Sequence, residues 1–142
     1  MARDINISLD TLKRIEALAY PSHMRQMQDC DTWQDVAEYA ECRLRNLHIW
    51  GSDTWYCIVA VHKRHVEIVD VAKIPESIRV PWRHILSRLR KFGISHITCD
   101  MRESTSYRLV RILPALGCSV LADETWYWNN ERMHAMRLAL ES

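Results

Sequence analysis

The chain lacks most of the features that would confine it to a special class. It has no CxxC pair, no apolar run long enough to cross a bilayer, no internal repeat and no low-complexity stretch. Five cysteines lie scattered at Cys30, Cys42, Cys57, Cys99 and Cys118. An odd number without paired spacing argues against a disulfide framework and predicts reduced, buried thiols. Met1 to Ser8 contains no apolar stretch of the kind found in secretory leaders. A cytoplasmic protein with no membrane partner is therefore expected. An excess of one charge is also missing: 19 Lys and Arg stand against 18 Asp and Glu, a net +1. Bulk binding to nucleic acid is not expected from so balanced a chain. What is present is ordinary for a folded domain, with 48% hydrophobic and 26% charged residues. At 142 residues there is room for one core, so residues 1–142 are expected to form a single domain.

Charge is uneven along the chain. Residues 79–111 hold eight basic side chains (Arg79, Arg83, Arg88, Arg90, Lys91, Arg102, Arg108 and Arg111) against Asp100 and Glu103, whereas both flanking segments are net acidic. A local basic region on a neutral protein suits a small polyanion better than a long one. The plainer alternative for each arginine is a solvated helix face.

The pattern predicts mixed α and β structure. Ser8 or Asp10 caps a helix carrying Leu9, Leu12, Ile15, Leu18 and Ala19, which Pro21 should end. A second helix is predicted from Thr32 to about Asn46, followed by a turn at Gly51-Ser52-Asp53. Trp55–His62 and His65–Ile74 are β-branched and aromatic, and Lys63-Arg64 joins them as a hairpin. Pro75–Pro81 reads as a loop, Trp82–Phe92 as a helix stopped by Gly93, and Ile94–Met101 as a strand. A helix over Ser104–Leu116 is broken late by Pro114. Cys118–Ala122 and Thr125–Trp128 read as a final pair of strands, and Met133–Leu140 fits either strand or helix. Trp126-Tyr127-Trp128 alternates faces in a strand, with the tryptophans assigned first to core and next to a homodimer interface.

Two segments stand out within this order. One runs Val66-Glu67-Ile68-Val69-Asp70-Val71-Ala72-Lys73-Ile74-Pro75 and then Arg79-Val80-Pro81-Trp82-Arg83-His84-Ile85-Leu86; the other is Ser104-Thr105-Ser106-Tyr107 leading to Ala115-Leu116-Gly117-Cys118. Over roughly residues 9–128, element order and these segments resemble the GNAT N-acetyltransferase superfamily. The resemblance implies an α/β domain with a mixed, mostly antiparallel central sheet flanked by helices. It also implies acyl transfer from acetyl-CoA to a primary amine on a small molecule or a protein. The diphosphate would lie at the start of the Trp82 helix, near Arg79 and Arg83, with Val71, Ala72, Val80, Trp82, His84 and Ser106 as further coenzyme contacts. The pantetheine arm would lie in the splay between the HVEIVDVAKI and ISHITCDM strands.

The family loop has the form [Q/R]-x-x-G-x-[G/A], and this chain departs from it. Arg79 fits, but the two small positions are Trp82 and His84, and Pro81 removes one N–H. In this the chain is similar to small phage-encoded GNAT-like proteins with eroded cofactor loops. The alternative function is accordingly a non-catalytic GNAT-like binding or structural protein that has lost coenzyme A. A third reading has the arginine-rich segment touching nucleic acid, against which the balanced charge counts.

Candidate bases for the acceptor amine are Asp70 and Glu67, carboxylates set among apolar strand residues that raise a carboxyl pKa. Their bland alternative is solvent exposure or a structural hydrogen bond. The family's usual acid, a tyrosine before L-G-F, falls at Leu113; Tyr107 lies six residues earlier on the same helix and is the candidate here. Glu16 is expected on the acceptor side, because the first two helices frame that cleft in the family. Tyr20 and His23, between those helices, are expected to line the acceptor pocket, with Met24 and Met27 filling core. No metal site is expected: His62 and His65 flank a turn without a third ligand. Cys99 and Cys118 lack a neighbouring base for nucleophilic work.

Overall fold

The Ser8 hydroxyl accepts the Thr11 N–H at 3.1 Å and opens helix α1, Leu9–Ala19. In the computed structural model, which describes residues 4–20, 25–77 and 79–142, α1 turns Leu12 and Ile15 fully inward. Pro21 and Met24 lie outside the described residues. Helix α2, Trp33–Tyr39, begins with a reciprocal cap: Thr32 Oγ1 accepts the Asp35 N–H, and Asp35 accepts the N–H groups of Asp31 and Thr32.

The helix expected to continue to Asn46 ends six residues after it begins, at Tyr39. Glu41 takes the left-handed conformation with φ 55°, its N–H bonds Glu38 O, and the Cys42 N–H reaches back to Ala37 O. These two crossed bonds satisfy the last carbonyls and reverse the chain. A short turn over Leu44–Asn46 then leads into β1, Leu47–Gly51, a strand the sequence pattern did not distinguish.

Five further strands follow: β2 Trp55–His62, β3 His65–Lys73, β4 His96–Arg102, β5 Cys118–Trp128 and β6 Glu131–Leu140. All six form one sheet in the order β1-β2-β3-β4-β6-β5. The β1–β2, β4–β6 and β5–β6 pairs are antiparallel, and β3–β4 is parallel, from His65↔His96 to Ile68↔Cys99. The α/β class and the mixed, mostly antiparallel sheet agree with the sequence reading. Asp4–Asn6 runs along β1: the Asn6 N–H bonds Ile49 O at 3.1 Å, and the Ile49 N–H bonds Asp4 O at 2.9 Å.

The chain resolves into two compact units, residues 1–61 with 69–81 and residues 62–68 with 82–142. The first packs Leu12 and Ile15 of α1, Met27, Val36 and Ala37 of α2, Leu47 and Ile49 of β1, Tyr56 and Ile58 of β2, and Ala72 of β3 into one core. Burying each of the Leu, Ile, Val and Met side chains among them contributes about 1.5–3 kcal/mol.

In the second unit, α3 spans Trp82–Lys91 and buries Ile85, Leu86 and Leu89. It ends as α2 does, with glycine at the left-handed position: the Gly93 N–H bonds Arg90 O and the Ile94 N–H bonds Leu89 O. Arg90 ties this helix to the carbonyls of Glu141 and Leu116. Helix α4, Glu103–Ile112, packs on β4 and β6 and is followed by a turn over Pro114–Leu116.

The two short terminal strands expected from the sequence are one strand, β5, in which Val120 pairs with Leu138 and Ala122 with Arg137. Leu121 is the extra residue of a bulge. Asn129 and Asn130, at φ 49° and 63°, turn β5 into β6. The ambiguous 133–140 segment is thus a strand. Trp126 and Tyr127 are not core: they are 39% and 70% exposed, and the Trp126 indole N–H donates to Asp100. All five cysteines are free thiols, four of them buried and Cys42 half-buried. No described helix is long and apolar enough to cross a membrane.

Candidate functional site

The first unit holds two carboxyl groups and two phenols around the C-terminal half of β3. The Tyr56 hydroxyl donates to Asp70 Oδ2 at 2.6 Å, and the Val71 N–H supports the same carboxyl. Burial pushes the Asp70 pKa up to about 7, and the charge of Glu16 adds to the rise against the opposing pull of Tyr56 and Val71. Asp70 nevertheless keeps part of its surface open to solvent. Burial also pushes the Tyr56 phenol well above its ordinary range, so it remains a donor at neutral pH.

Glu16 of α1 is fully buried. Its carboxylate accepts the Met27 N–H at 3.0 and 3.1 Å on its two oxygens and Gln28 Nε2 at 3.1 Å. Burial raises its pKa, while these bonds and the charge of Arg25 work the other way. The Tyr20 hydroxyl donates to Val71 O at 2.7 Å, which occupies that strand carbonyl, and Ala72 lies in the core. His23 lies outside the described residues. Glu67, the other carboxylate of β3, is exposed and stands in register with Thr98.

The second unit has a different charged centre. His134 of β6 is almost fully buried between two carboxylates: Nδ1 meets Asp123 Oδ1 of β5 at 2.8 Å, and Nε2 meets Glu103 Oε2 of α4 at 3.0 Å. Both ring nitrogens face acceptors, so the ring is satisfied only as a doubly protonated imidazolium. Its bond to Glu103, then that to Asp123, raises the His134 pKa, and burial opposes them. Arg132 pairs with the same Glu103 oxygen at 3.0 Å, and the Glu103 pKa is lowered chiefly by its bond to His134. Tyr107 is 58% exposed; it presents its ring edge-on to His134 at 6.2 Å and bonds Glu103. Ser106 is buried on α4.

The loop before α3 leaves Arg79 exposed and Val80 half-buried. At the start of α3, Trp82 is half-buried and Arg83 and His84 are exposed, and the first turn carries no acidic side chain. Its leading N–H groups have no partners within the helix and stand at the positive end of the helix dipole. Such a helix start suits an anionic group such as a diphosphate. Among the described residues no three His, Cys, Asp or Glu side chains are grouped to hold a metal ion. Cys99 is pushed up to about 12 by burial, which leaves it an inert thiol.

Sequence reasoning missed Tyr56 and His134. Tyr56 could not be found by counting: a regular hairpin through Lys63-Arg64 sets Tyr56 opposite Val71, so alternation would send Tyr56 and Asp70 to opposite faces, and their contact is visible only in the structure. His134 gave no local signal, because its partners come from β5 and α4.

Neither a protein-family model nor a curated protein matches the sequence. Solved structures do match in three dimensions. The ribosomal-protein-S18-alanine N-acetyltransferase of Escherichia coli superposes with a TM-score of 0.63 at 16% identity, covering 93% of this chain and 86% of that one. A GNAT-family acetyltransferase candidate from Desulfovibrio desulfuricans gives 0.62 at 13% identity, with 94% and 93% covered. A Bacillus subtilis acetyltransferase in complex with CoA gives 0.54 at 19% identity, with 96% and 95% covered. With its mixed six-stranded sheet and four helices, this chain has the fold of the GNAT acetyltransferases.

Proposed function

We propose that this protein is an acyl-CoA-dependent N-acyltransferase in which Asp70 deprotonates a primary amine. The observation that carries the reading is the Asp70 carboxyl on β3, held by Tyr56 and brought to a pKa of about 7. A base is most effective when its pKa lies near the working pH. An ordinary carboxylate is too weak to take a proton from an amine, whereas Asp70 at neutral pH is about half ionised and still basic. Glu67 is exposed on the same strand.

The first turn of α3 would hold the coenzyme diphosphate through the N–H groups of Trp82 and Arg83, with the Arg79 and Arg83 guanidinium groups pairing with its charge. Pro81 precedes the helix, so its missing N–H removes no donor from that turn. The fold likeness to a CoA complex supports this cofactor. Acetyl-CoA, when bound, supplies the acyl group as an activated thioester.

Thermal shift and titration calorimetry with acetyl-CoA and free CoA test it. Ligand at a hundredfold excess over Kd is expected to stabilise the fold by about 2.7 kcal/mol, and Arg79→Ala with Arg83→Ala to abolish that gain without unfolding the protein. No binding at millimolar ligand replaces this reading with the non-catalytic one. If binding survives the double substitution unaltered, the diphosphate lies elsewhere.

A further inference from the structure

We propose that Asp4–Asn6 is an acid-released strap: His48 of β1 holds it only while its ring is neutral, and protonation of Nδ1 lets it go. Consecutive residues of β1 grip Asp4. Its N–H donates to His48 Nδ1 at 3.0 Å, its carbonyl accepts the Ile49 N–H at 2.9 Å, and its Oδ2 accepts the Trp50 indole N–H at 3.0 Å. His48 and Trp50 point to one face of the strand and Ile49 to the other. Asn6 adds to the grip: its N–H donates to Ile49 O at 3.1 Å, and its Oδ1 accepts the Gly51 N–H at 2.9 Å.

The bond to His48 responds to protons as the others do not. A backbone N–H can only donate, so the Nδ1 facing it must carry a lone pair, which fixes His48 as the neutral tautomer protonated on Nε2. A proton added to Nδ1 replaces the acceptor by a donor and sets two N–H groups against each other. The ring has no room to turn aside, because His48 is fully buried with the Trp50 ring 6.4 Å away. Relief comes when Asp4 leaves β1, which returns the Ile49 N–H to solvent. Burial holds the folded His48 pKa below the ordinary histidine value; the charge of Asp4 opposes this and the chain's amino group adds to it. Val59 of β2, in register with His48, brings no charge. The closed strap is therefore favoured above about 6.5, the value of a released histidine, and is lost as pH falls towards the lowered folded value. Asp70 and His134 act with the opposite sign: both bind protons more tightly in the fold, so acid strengthens it through them. A histidine that only fills space predicts that the strap and β2 loosen together or not at all.

Hydrogen exchange of the full chain by NMR, read between about pH 7 and 5 as protection factors so that the intrinsic pH dependence cancels, separates these outcomes. The amides of Asn6, Ile49 and Gly51 all donate across the contact between strap and strand. Their protection is expected to fall by up to about tenfold per pH unit below about 6.5, while the amides of β2 keep theirs. His48→Asn puts an amide oxygen in the place of Nδ1, an acceptor that does not titrate, and is expected to make the protection of those amides flat over the same range. If that variant does not fold, the unaltered chain decides, through its exchange and through the ring 15N shifts of His48, which are expected to show Nδ1 unprotonated at neutral pH. Protection at Asn6, Ile49 and Gly51 that stays constant in acid, or that falls only together with β2, overturns the proposal. So does a pH dependence that survives in His48→Asn, or an Nδ1 found protonated at neutral pH.

Discussion

In the first unit a carboxyl group is made harder to ionise by burial with only Tyr56 and the Val71 N–H to support its charge, whereas in the second an imidazole sits between Asp123 and Glu103, which favour its charged form. One environment withholds countercharge and the other supplies two. Both pKa values rise, but for opposite reasons: desolvation of an anion for Asp70, stabilisation of a cation for His134. The first arrangement yields a group able to exchange a proton at neutral pH. The second yields a clamp joining α4, β5 and β6.

The consequences for stability share a sign and differ in window. The Asp70 carboxyl ionises near 3.9 in the unfolded chain and at about 7 in the fold. Between those values the folded state binds the extra proton, so stability declines as pH rises. Asp70→Asn removes that cost and is expected to stabilise the protein at pH about 8 by roughly 2–4 kcal/mol in urea denaturation. It is also expected to lower kcat/KM by about a hundredfold or more. A variant that gains stability while losing activity marks a functional group retained at a cost to the fold; loss of both would erase the contrast with His134.

His134→Gln breaks the comparison from the other side. The clamp is fully present below the unfolded histidine value of about 6.5 and is lost as pH rises through the raised folded value. The variant is therefore expected to melt earlier than the unaltered chain at mildly acid pH, with the difference closing in alkaline buffer. A gap that persists unchanged across pH would show that packing, not charge, holds the ring.

A pH-independent reference sharpens both results. Glu41 occupies the same left-handed position at the end of α2 that Gly93 occupies at the end of α3. A side chain there costs about 1 kcal/mol, so Glu41→Gly is expected to stabilise the fold by about that amount at every pH. The smallest effect belongs to Trp126→Phe, which removes an exposed hydrogen bond to Asp100 and is expected to change stability by no more than about 0.5 kcal/mol.

Those helix ends also show what the sequence made legible. Gly93 announced the end of α3, because glycine is the ordinary residue for that conformation. Glu41 announced nothing, and the apolar spacing of Val36, Ala37, Ala40 and Leu44 carried the predicted helix past its true end, hiding β1. The β2–β3 pair stood out through its β-branched and aromatic residues, and Asp70 was visible as a charge among them. What separates Asp70 from Glu67 is surroundings: one lies against Tyr56, the other is exposed. Likewise the bulge at Leu121 made one strand read as two, since an extra residue breaks the alternation by which strands are recognised.

The segment Asp4–Asn6 gives the sheet an asymmetric valence. One margin is occupied by the protein's own backbone along β1, and Asp4 fastens it further by accepting the Trp50 indole N–H at 3.0 Å. The other margin is β5, with Val120, Leu121 and Tyr127 exposed. An open strand edge can pair with at most one further strand, and the β1 edge already carries Asp4–Asn6. Without Asp4–Asn6, β1 would present a second row of unpaired backbone groups, so this short segment determines how many open edges the sheet has.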